Sequence, residues 1–283
     1  MKGFAAAAPF LLVLGCAVLP ACSDSPIRID PLAVDGRDGG GRTISYGALM
    51  RIGAAARAGG DLPNALSVFR RAAATETRNP APHVAAGNTL VEMGEINEAI
   101  LAFNAALERA PRDPEALRSL AKAYMLTGRP ELAARPLALA FEDTPTDPKL
   151  LLLIGVADDF AGQHREAQMR YRQGLELVAG DPALTLNLAL SLALTEDYDT
   201  AVALLAPLAG APTASPRERQ TMALIYGLKG DRAQAERLAR SDLDPAAVSH
   251  NLEFYETLRR LPPEARTRAI LAASTAQAGA PRS

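Results

Sequence analysis

The chain has 283 residues, with 30 basic and 32 acidic side chains and a formal net charge of −2. A nearly balanced charge excludes the excess of Lys and Arg that phosphate backbones require, so we expect no nucleic-acid partner. Both of its cysteines, Cys16 and Cys22, lie near the N-terminus. We therefore expect no disulfide bond in the folded body.

The first residues have the pattern of a secretory signal. Met1-Lys2 is followed by an apolar stretch from Gly3 to Leu19 that Pro9 interrupts. A charged start before such a stretch is typical of a signal peptide. The 17 apolar residues fall short of the roughly 20 that a membrane-spanning helix needs, which leaves an uncleaved anchor as the less favoured alternative.

Each cysteine ends a segment that resembles the bacterial lipobox, in which a cysteine becomes the lipidated N-terminus of the mature protein. These segments are Leu19-Pro20-Ala21-Cys22 and Val13-Leu14-Gly15-Cys16. We favour Cys22, because the polar run SDSPIRID follows it, whereas more apolar chain follows Cys16. An ordinary secreted protein with incidental cysteines is the alternative. Residues 1–22 are thus predicted to be a lipoprotein signal peptide, and the Gly-, Asp- and Pro-rich residues 23–45 a flexible tether between a lipid anchor in the membrane and the folded body.

A pattern with a period of 34 residues fills most of the remaining chain. Residues 80–114 show it best: an apolar helical pattern from Ala81 to Met93, a turn at Gly94, and a second helical pattern that ends at Pro111. Alanine recurs in constant phase at Ala65, Ala99, Ala133, Ala167, Ala201 and Ala235. The period therefore predicts six antiparallel helical hairpins.

Two further positions of the period alternate in size. Four residues after each alanine come Phe69, Phe103, Leu137, Tyr171, Leu205 and Ala239, and twelve residues before it come Gly53, Gly87, Ala121, Gly155, Ala189 and Ala223. Small residues allow two helices to approach closely, and a bulky neighbour fills the adjoining gap. A cap residue followed by Pro, as in Asp113-Pro114 and Asp147-Pro148, marks the start of most hairpins.

This period and order of residues resemble the tetratricopeptide repeat. In the third repeat the residues at the family's motif positions are Leu117, Leu120, Ala121, Tyr124, Ala133, Ala140 and Pro145. The chain departs from the motif at Asp158, where Tyr is usual, and at Glu196, where the turn glycine is usual, so less regular stacking is expected there. The resemblance implies an all-α superhelical solenoid of six tetratricopeptide repeats over residues 46–245. Beyond it, Val248, Leu252, Tyr255 and Leu258 fall on one face of a further helix, which predicts a C-terminal capping helix over 246–262, and the Ala-rich residues 263–283 are predicted to be a disordered tail.

The same resemblance implies a concave groove that binds a protein partner, lined by fixed positions of each repeat's first helix. Its first part is polar and basic, and its later part is apolar enough to take a helix or strand of another protein. Alternatively, the predicted capping helix covers the apolar part. The groove residues carried over are Val84, Asn88, Arg118, Lys122, Leu152, Val156, Leu186, Leu190 and Leu224.

No pattern of residues indicates an enzyme. Asp158 and Asp159 are neighbours, and neighbours in a helix point about 100° apart, so we interpret them as an irregular or solvated helix end rather than an acid–base pair. The three histidines are about eighty residues apart and lack companion metal ligands. We expect no catalytic residue, metal, cofactor or small-molecule substrate.

The segment from Asn187 to Arg260 carries a narrower resemblance. Its pieces NLALSLALTEDYDTAVALLAPLA, RERQTMALIYGLKGDRAQAERLARSDL and AVSHNLEFYETLRRL resemble the TadD-type lipoproteins of the tight-adherence (Flp) pilus assembly system. That resemblance implies a lipoprotein of the outer membrane that faces the periplasm and helps to assemble or localise the pilus machine, with the outer-membrane secretin as partner. The alternative is a general periplasmic repeat lipoprotein that serves as an adaptor for cell-wall hydrolases or outer-membrane assembly factors.

Overall fold

The computed structural model describes residues 44–278. The predicted signal peptide, both cysteines, nearly all of the tether and the end of the tail lie outside the described residues. The described chain falls into two compact units, one ending at Asp143 and the other beginning at Thr144. Each unit is described by itself.

Within residues 44–278 the regular secondary structure is helical throughout. The N-terminal unit contains α1 (Tyr46–Ala58), α2 (Leu62–Thr75), α3 (Ala81–Glu92), α4 (Ile96–Arg109), α5 (Pro114–Leu126), a 3₁₀ turn (Pro130–Ala133) and α6 (Ala134–Asp143). The C-terminal unit contains α7 (Pro148–Phe160), α8 (His164–Leu177), α9 (Pro182–Leu194), α10 (Tyr198–Ala209), α11 (Pro216–Lys229), α12 (Arg232–Ala239), α13 (Pro245–Arg260) and α14 (Pro263–Ala278).

In both units each helix packs against the next one in the chain, so the helices form antiparallel hairpins that stack on one another. Three hairpins lie in each unit, and α13 packs against α11 and α12 as a cap. The predicted all-α fold of six hairpins followed by a capping helix is confirmed. None of the helices in the described part of the chain is long and apolar enough to span a bilayer.

The predicted cap residues begin these helices. The side chains of Asp113, Asp147 and Asp181 accept hydrogen bonds from backbone amides of the following first turn, at 2.8, 2.9 and 2.9 Å. Ser215 starts α11 with a capping box that its partner Glu218 completes. Each carboxylate or hydroxyl satisfies an amide that has no partner within the helix, and the proline that follows needs none.

In three hairpins a glycine of the first helix packs against a bulky residue of the second. A Cβ atom placed on Gly53 would lie 2.6 Å from the Phe69 ring, and one on Gly155 would lie 2.5 Å from the Tyr171 ring. Gly87 faces Phe103 in the same way. These glycines are required because the two helices approach too closely for any side chain. All six of the recurring alanines are fully buried.

The turn inside each hairpin has the same left-handed backbone at the same position of the period. In these six turns the residues with positive φ angles are Gly60, Gly94, Gly128, Gly162, Glu196 and Gly230. Glu196, at φ 63°, is the one residue other than glycine with a positive φ in residues 44–278. The departure of the sequence at this turn therefore leaves the geometry of the hairpin unchanged.

The predicted disordered tail is wrong over most of its length, since α14 occupies Pro263–Ala278. Its sequence lacks a sustained apolar period, but it is rich in alanine, the residue most favourable to helices. The helix packs against α7, α9 and α13, and Ile270 is 2 % exposed. These tertiary contacts stabilise a helix that the apolar pattern alone does not predict.

Candidate functional site

The residues predicted to line the polar part of the groove lie on α3 and α5 of the N-terminal unit, and these two helices contact each other. Val84 is buried, whereas Asn88, Arg118 and Lys122 are partly exposed. The Asn88 amide donates to Glu115 Oε1 at 3.2 Å and accepts from the Ser119 hydroxyl at 3.3 Å. Asn88 is thus fixed to α5 through Glu115 and Ser119. Arg118 and Lys122 are four residues apart on the same helix, so their two cationic groups lie on one side of it.

The residues predicted to line the apolar part lie on α7, α9 and α11 of the C-terminal unit. Leu152 is partly buried, and Val156, Leu186, Leu190 and Leu224 are buried. Every residue of α9 from Leu184 to Leu194 is buried. A helix that is buried on all sides needs neighbours on all sides, and α9 has α7, α8, α10, α11 and α14 around it.

The sequence left open whether this apolar face is exposed or covered by the chain itself. In this structure it is covered. The covering helix differs from the predicted one, because α14 packs on α7 and α9, whereas α13 packs on α11, α12 and α14. Val156, Leu186 and Leu190 therefore reach no partner while the C-terminal unit has this arrangement.

A buried polar cluster lies next to this face. Asp159, near the end of α7, is only 5 % exposed. Its carboxylate accepts hydrogen bonds from the Tyr171 hydroxyl at 2.8 Å and the Ser191 hydroxyl at 2.7 Å, and His164 Nδ1 lies 2.7 Å from it. Burial raises the pKa of Asp159, while these three hydrogen bonds act in the opposite direction.

Asp158 and Asp159 lie in different surroundings. Burial raises the pKa of the half-buried Asp158 to about 6, an effect that Arg170 opposes and the nearby Asp159 and Glu166 increase. The interpretation of the pair as an irregular or solvated helix end is wrong for Asp159, which is hydrogen-bonded in the interior at the end of a regular helix. The sequence gives no signal of this, since Tyr171 and Ser191 lie 12 and 32 residues away along the chain.

The cluster of Asp159, His164 and Ser191 contains the residue types of a hydrolytic triad in a different arrangement. The Ser191 hydroxyl donates to Asp159 and is fully buried, so it lacks both a base and access to a substrate. In residues 44–278 no group of three or more His, Cys, Asp or Glu side chains could hold a metal ion. The cluster therefore fixes α7, α8 and α9 to one another.

Comparisons with known proteins agree with this geometry. Residues 84–148 match the model of the Tetratricopeptide repeat family. A search of curated sequences gives no significant match.

Among solved structures, the chain is similar to a tetratricopeptide repeat protein from Parabacteroides merdae, at 17 % identity, 75 % coverage of this chain, 84 % of that chain and a TM-score of 0.62. It is also similar to PilF of Pseudomonas aeruginosa, at 18 % identity, 79 % and 96 % coverage and a TM-score of 0.57. A third, YrrB, is described as having an unusual peptide-binding site and has 17 % identity, 65 % and 97 % coverage and a TM-score of 0.50.

Likeness at these identities establishes the fold. The chain has the fold of tetratricopeptide-repeat proteins, a class of protein-binding scaffolds that are typically non-catalytic.

The burial of Leu190 makes a prediction about stability. Leu190 is 3 % exposed and Leu101, on α4, is 69 % exposed. Leu190→Ala should lower the free energy of unfolding by about 2–5 kcal/mol, because it removes packed apolar volume from the interior. Leu101→Ala should change it by less than about 0.5 kcal/mol. Urea denaturation of both variants measures the difference, and an equal, small effect at the two sites would show that the apolar face is open to solvent.

Proposed function

We propose that the protein is a non-enzymatic scaffold of the tight-adherence (Flp) pilus system, which binds a protein partner to assemble or localise the pilus machine. The observation that carries this proposal is the resemblance of residues 187–260, above all the ending AVSHNLEFYETLRRL, to TadD-type lipoproteins. The tetratricopeptide-repeat fold supports the scaffold part of it. The structural likeness to the pilus-related protein PilF, along 96 % of that chain, is in keeping with the pilus part.

The proposed partner is the outer-membrane secretin. Because the apolar face of the C-terminal unit is covered, the first contact falls on the partly exposed polar residues of the N-terminal unit, Asn88, Arg118 and Lys122. Cationic and amide groups on one face suit an acidic or carboxylate-bearing segment of the partner. Val84 lies beneath this surface as part of the core.

Crosslinking in cells tests the partner. A photoreactive residue replaces Lys122, and the control places it at Leu101, which is exposed on a second helix of a hairpin and outside the predicted groove. We expect capture of the secretin, or of another pilus component, from position 122 and not from position 101. Capture of a cell-wall hydrolase from position 122 would contradict the pilus proposal and favour the adaptor alternative.

We further propose that the scaffold is anchored by lipid on Cys22 in the outer membrane and faces the periplasm. The support is the lipobox-like sequence before Cys22 and the polar residues after it. Two or more acyl chains give stable anchoring, because each buried CH₂ contributes about 0.8 kcal/mol. The tether would then hold the repeats away from the bilayer surface.

The two cysteines serve as a matched pair for this second proposal. Cys22→Ser should abolish metabolic labelling with a palmitate analogue and release the protein from the outer-membrane fraction, since the acylated thiol is lost. Cys16→Ser should leave both labelling and fractionation unchanged. Loss of labelling in Cys16→Ser, with labelling kept in Cys22→Ser, would assign the modification to Cys16. If neither the wild type nor the variants became labelled, the lipid anchor would be refuted.

A further inference from the structure

Helix α14 is attached to the C-terminal unit by a small set of buried side chains. Arg266, Thr267 and Ile270 are all buried, and the helix packs against α7, α9 and α13. Two of these three side chains are polar, and each makes a specific contact far along the chain.

Arg266 connects α14 to the turn between α9 and α10. Its guanidinium donates to Glu196 Oε1 at 2.9 Å, and also to the carbonyl oxygens of Leu258 at 3.2 Å and Leu261 at 3.3 Å. Glu196 occupies the left-handed turn position that is glycine in the other five hairpins. A side chain is unfavourable in that left-handed conformation. The Glu196 side chain, however, makes a contact with Arg266 that a glycine at this position could not make.

Thr267 connects α14 to the buried polar cluster. Its hydroxyl lies 3.3 Å from His164 Nε2, while the other nitrogen of the same ring lies 2.7 Å from Asp159. The His164 ring therefore bridges the interior of the unit and the covering helix. Arg266 and Thr267, with their partners Glu196 and His164, form what we call the polar latch.

The sequence of α14 contains few large apolar side chains. Between residues 263 and 278 the only large aliphatic residues are Ile270 and Leu271, and most of the others are alanine or polar. The underlying helix α9, in contrast, is buried on every side from Leu184 to Leu194 and is rich in leucine. Because hydrophobic stabilisation scales with the apolar area removed from water, a helix with the same polar contacts and more leucine or isoleucine would bind this face more tightly than α14 does.

We infer that the face formed by α7 and α9 is a helix-binding site that α14 occupies as an intramolecular competitor, and that a partner enters it with an amphipathic helix. The partner helix presents an arginine to Glu196, a hydroxyl to His164 and aliphatic side chains to the face of α9. This inference rests on the proposed scaffold function, for which it supplies a second, gated site. The short covalent connection between α13 and α14 keeps α14 at a high effective concentration near the face. Only a helix with a better apolar face therefore displaces it.

A synthetic helix supplied in trans tests the site on the full chain. The probe is a fluorescent peptide of residues 261–278, and the variant R266Q/T267V removes the latch from the resident helix alone. We expect the peptide to bind this variant at least 10-fold more tightly than wild type, because the wild-type site is filled. R268Q changes an exposed arginine of the same helix, and should behave as wild type.

A second variant shows where the peptide binds. Adding Glu196→Gly to R266Q/T267V should weaken peptide binding at least 5-fold, since the peptide's arginine loses its carboxylate. Equal binding to all variants, or absence of binding to R266Q/T267V, would overturn the inference. So would formation of a dimer that exchanges α14 between copies, which sedimentation detects, because the occupant would then be a second copy.

Glu196→Gly alone keeps the inference testable if the double variant fails to fold. Glycine suits the left-handed turn, so the hairpins should keep their stability. The amides of residues 263–278 should exchange hydrogen at least 10-fold faster as α14 detaches, and unchanged exchange would overturn the latch. Because no secretin is present in these assays, their outcome is independent of the pilus proposal.

Discussion

The fold depends on one repeated contact, in which a small residue on the first helix of a hairpin packs against a bulky residue on the second. Gly53 with Phe69, Gly87 with Phe103 and Gly155 with Tyr171 leave no room for a Cβ atom between the partners. The distance between the two helices is set by these pairs, and the fully buried alanines at the 34-residue spacing allow the same close approach. Stacking of identical hairpins then follows.

The C-terminal end shows what happens where the pair is incomplete. The sixth hairpin has Ala239 at the bulky position, and Tyr255 of α13 packs its ring against Gly227 of α11. The capping helix thus packs an aromatic ring on the last hairpin, at Gly227 rather than at Ala223, the small position of the period. α14 continues this closure by covering α7 and α9, so the apolar part of the predicted groove is not left exposed.

The sequence predicted the features that arise from contacts within one repeat. The period, the caps at Asp113 and Asp181, and the small and bulky pairs all depend on residues close along the chain, and the structure confirms them. Asp159 and α14 depend on distant residues. The contact of Arg266 with Glu196 spans 70 residues and that of Thr267 with His164 spans 103, and no periodic pattern encodes either. Glu196 departs from the motif in the sequence, but its role becomes visible only when its partner is known.

The same distinction separates the two sets of predicted groove residues. On α3 and α5, Asn88, Arg118 and Lys122 are partly exposed as a groove requires, whereas Val84 is buried. The positions on α7, α9 and α11 are largely buried, because α14 packs on α7 and α9 and α13 packs on α11, and the repeat pattern contains neither helix.

A double-mutant cycle at Gly87 and Phe103 tests the central role of the small and bulky pair most directly. The chain itself contains the alternative pairs Ala121 with Leu137 and Ala189 with Leu205 at the same positions. Gly87→Ala should destabilise by about 1–3 kcal/mol through overpacking, and adding Phe103→Leu should restore part of that loss, with a coupling of at least about 1 kcal/mol in urea denaturation. Strictly additive effects of the two substitutions would contradict the account, since the two side chains would then not compete for the same space.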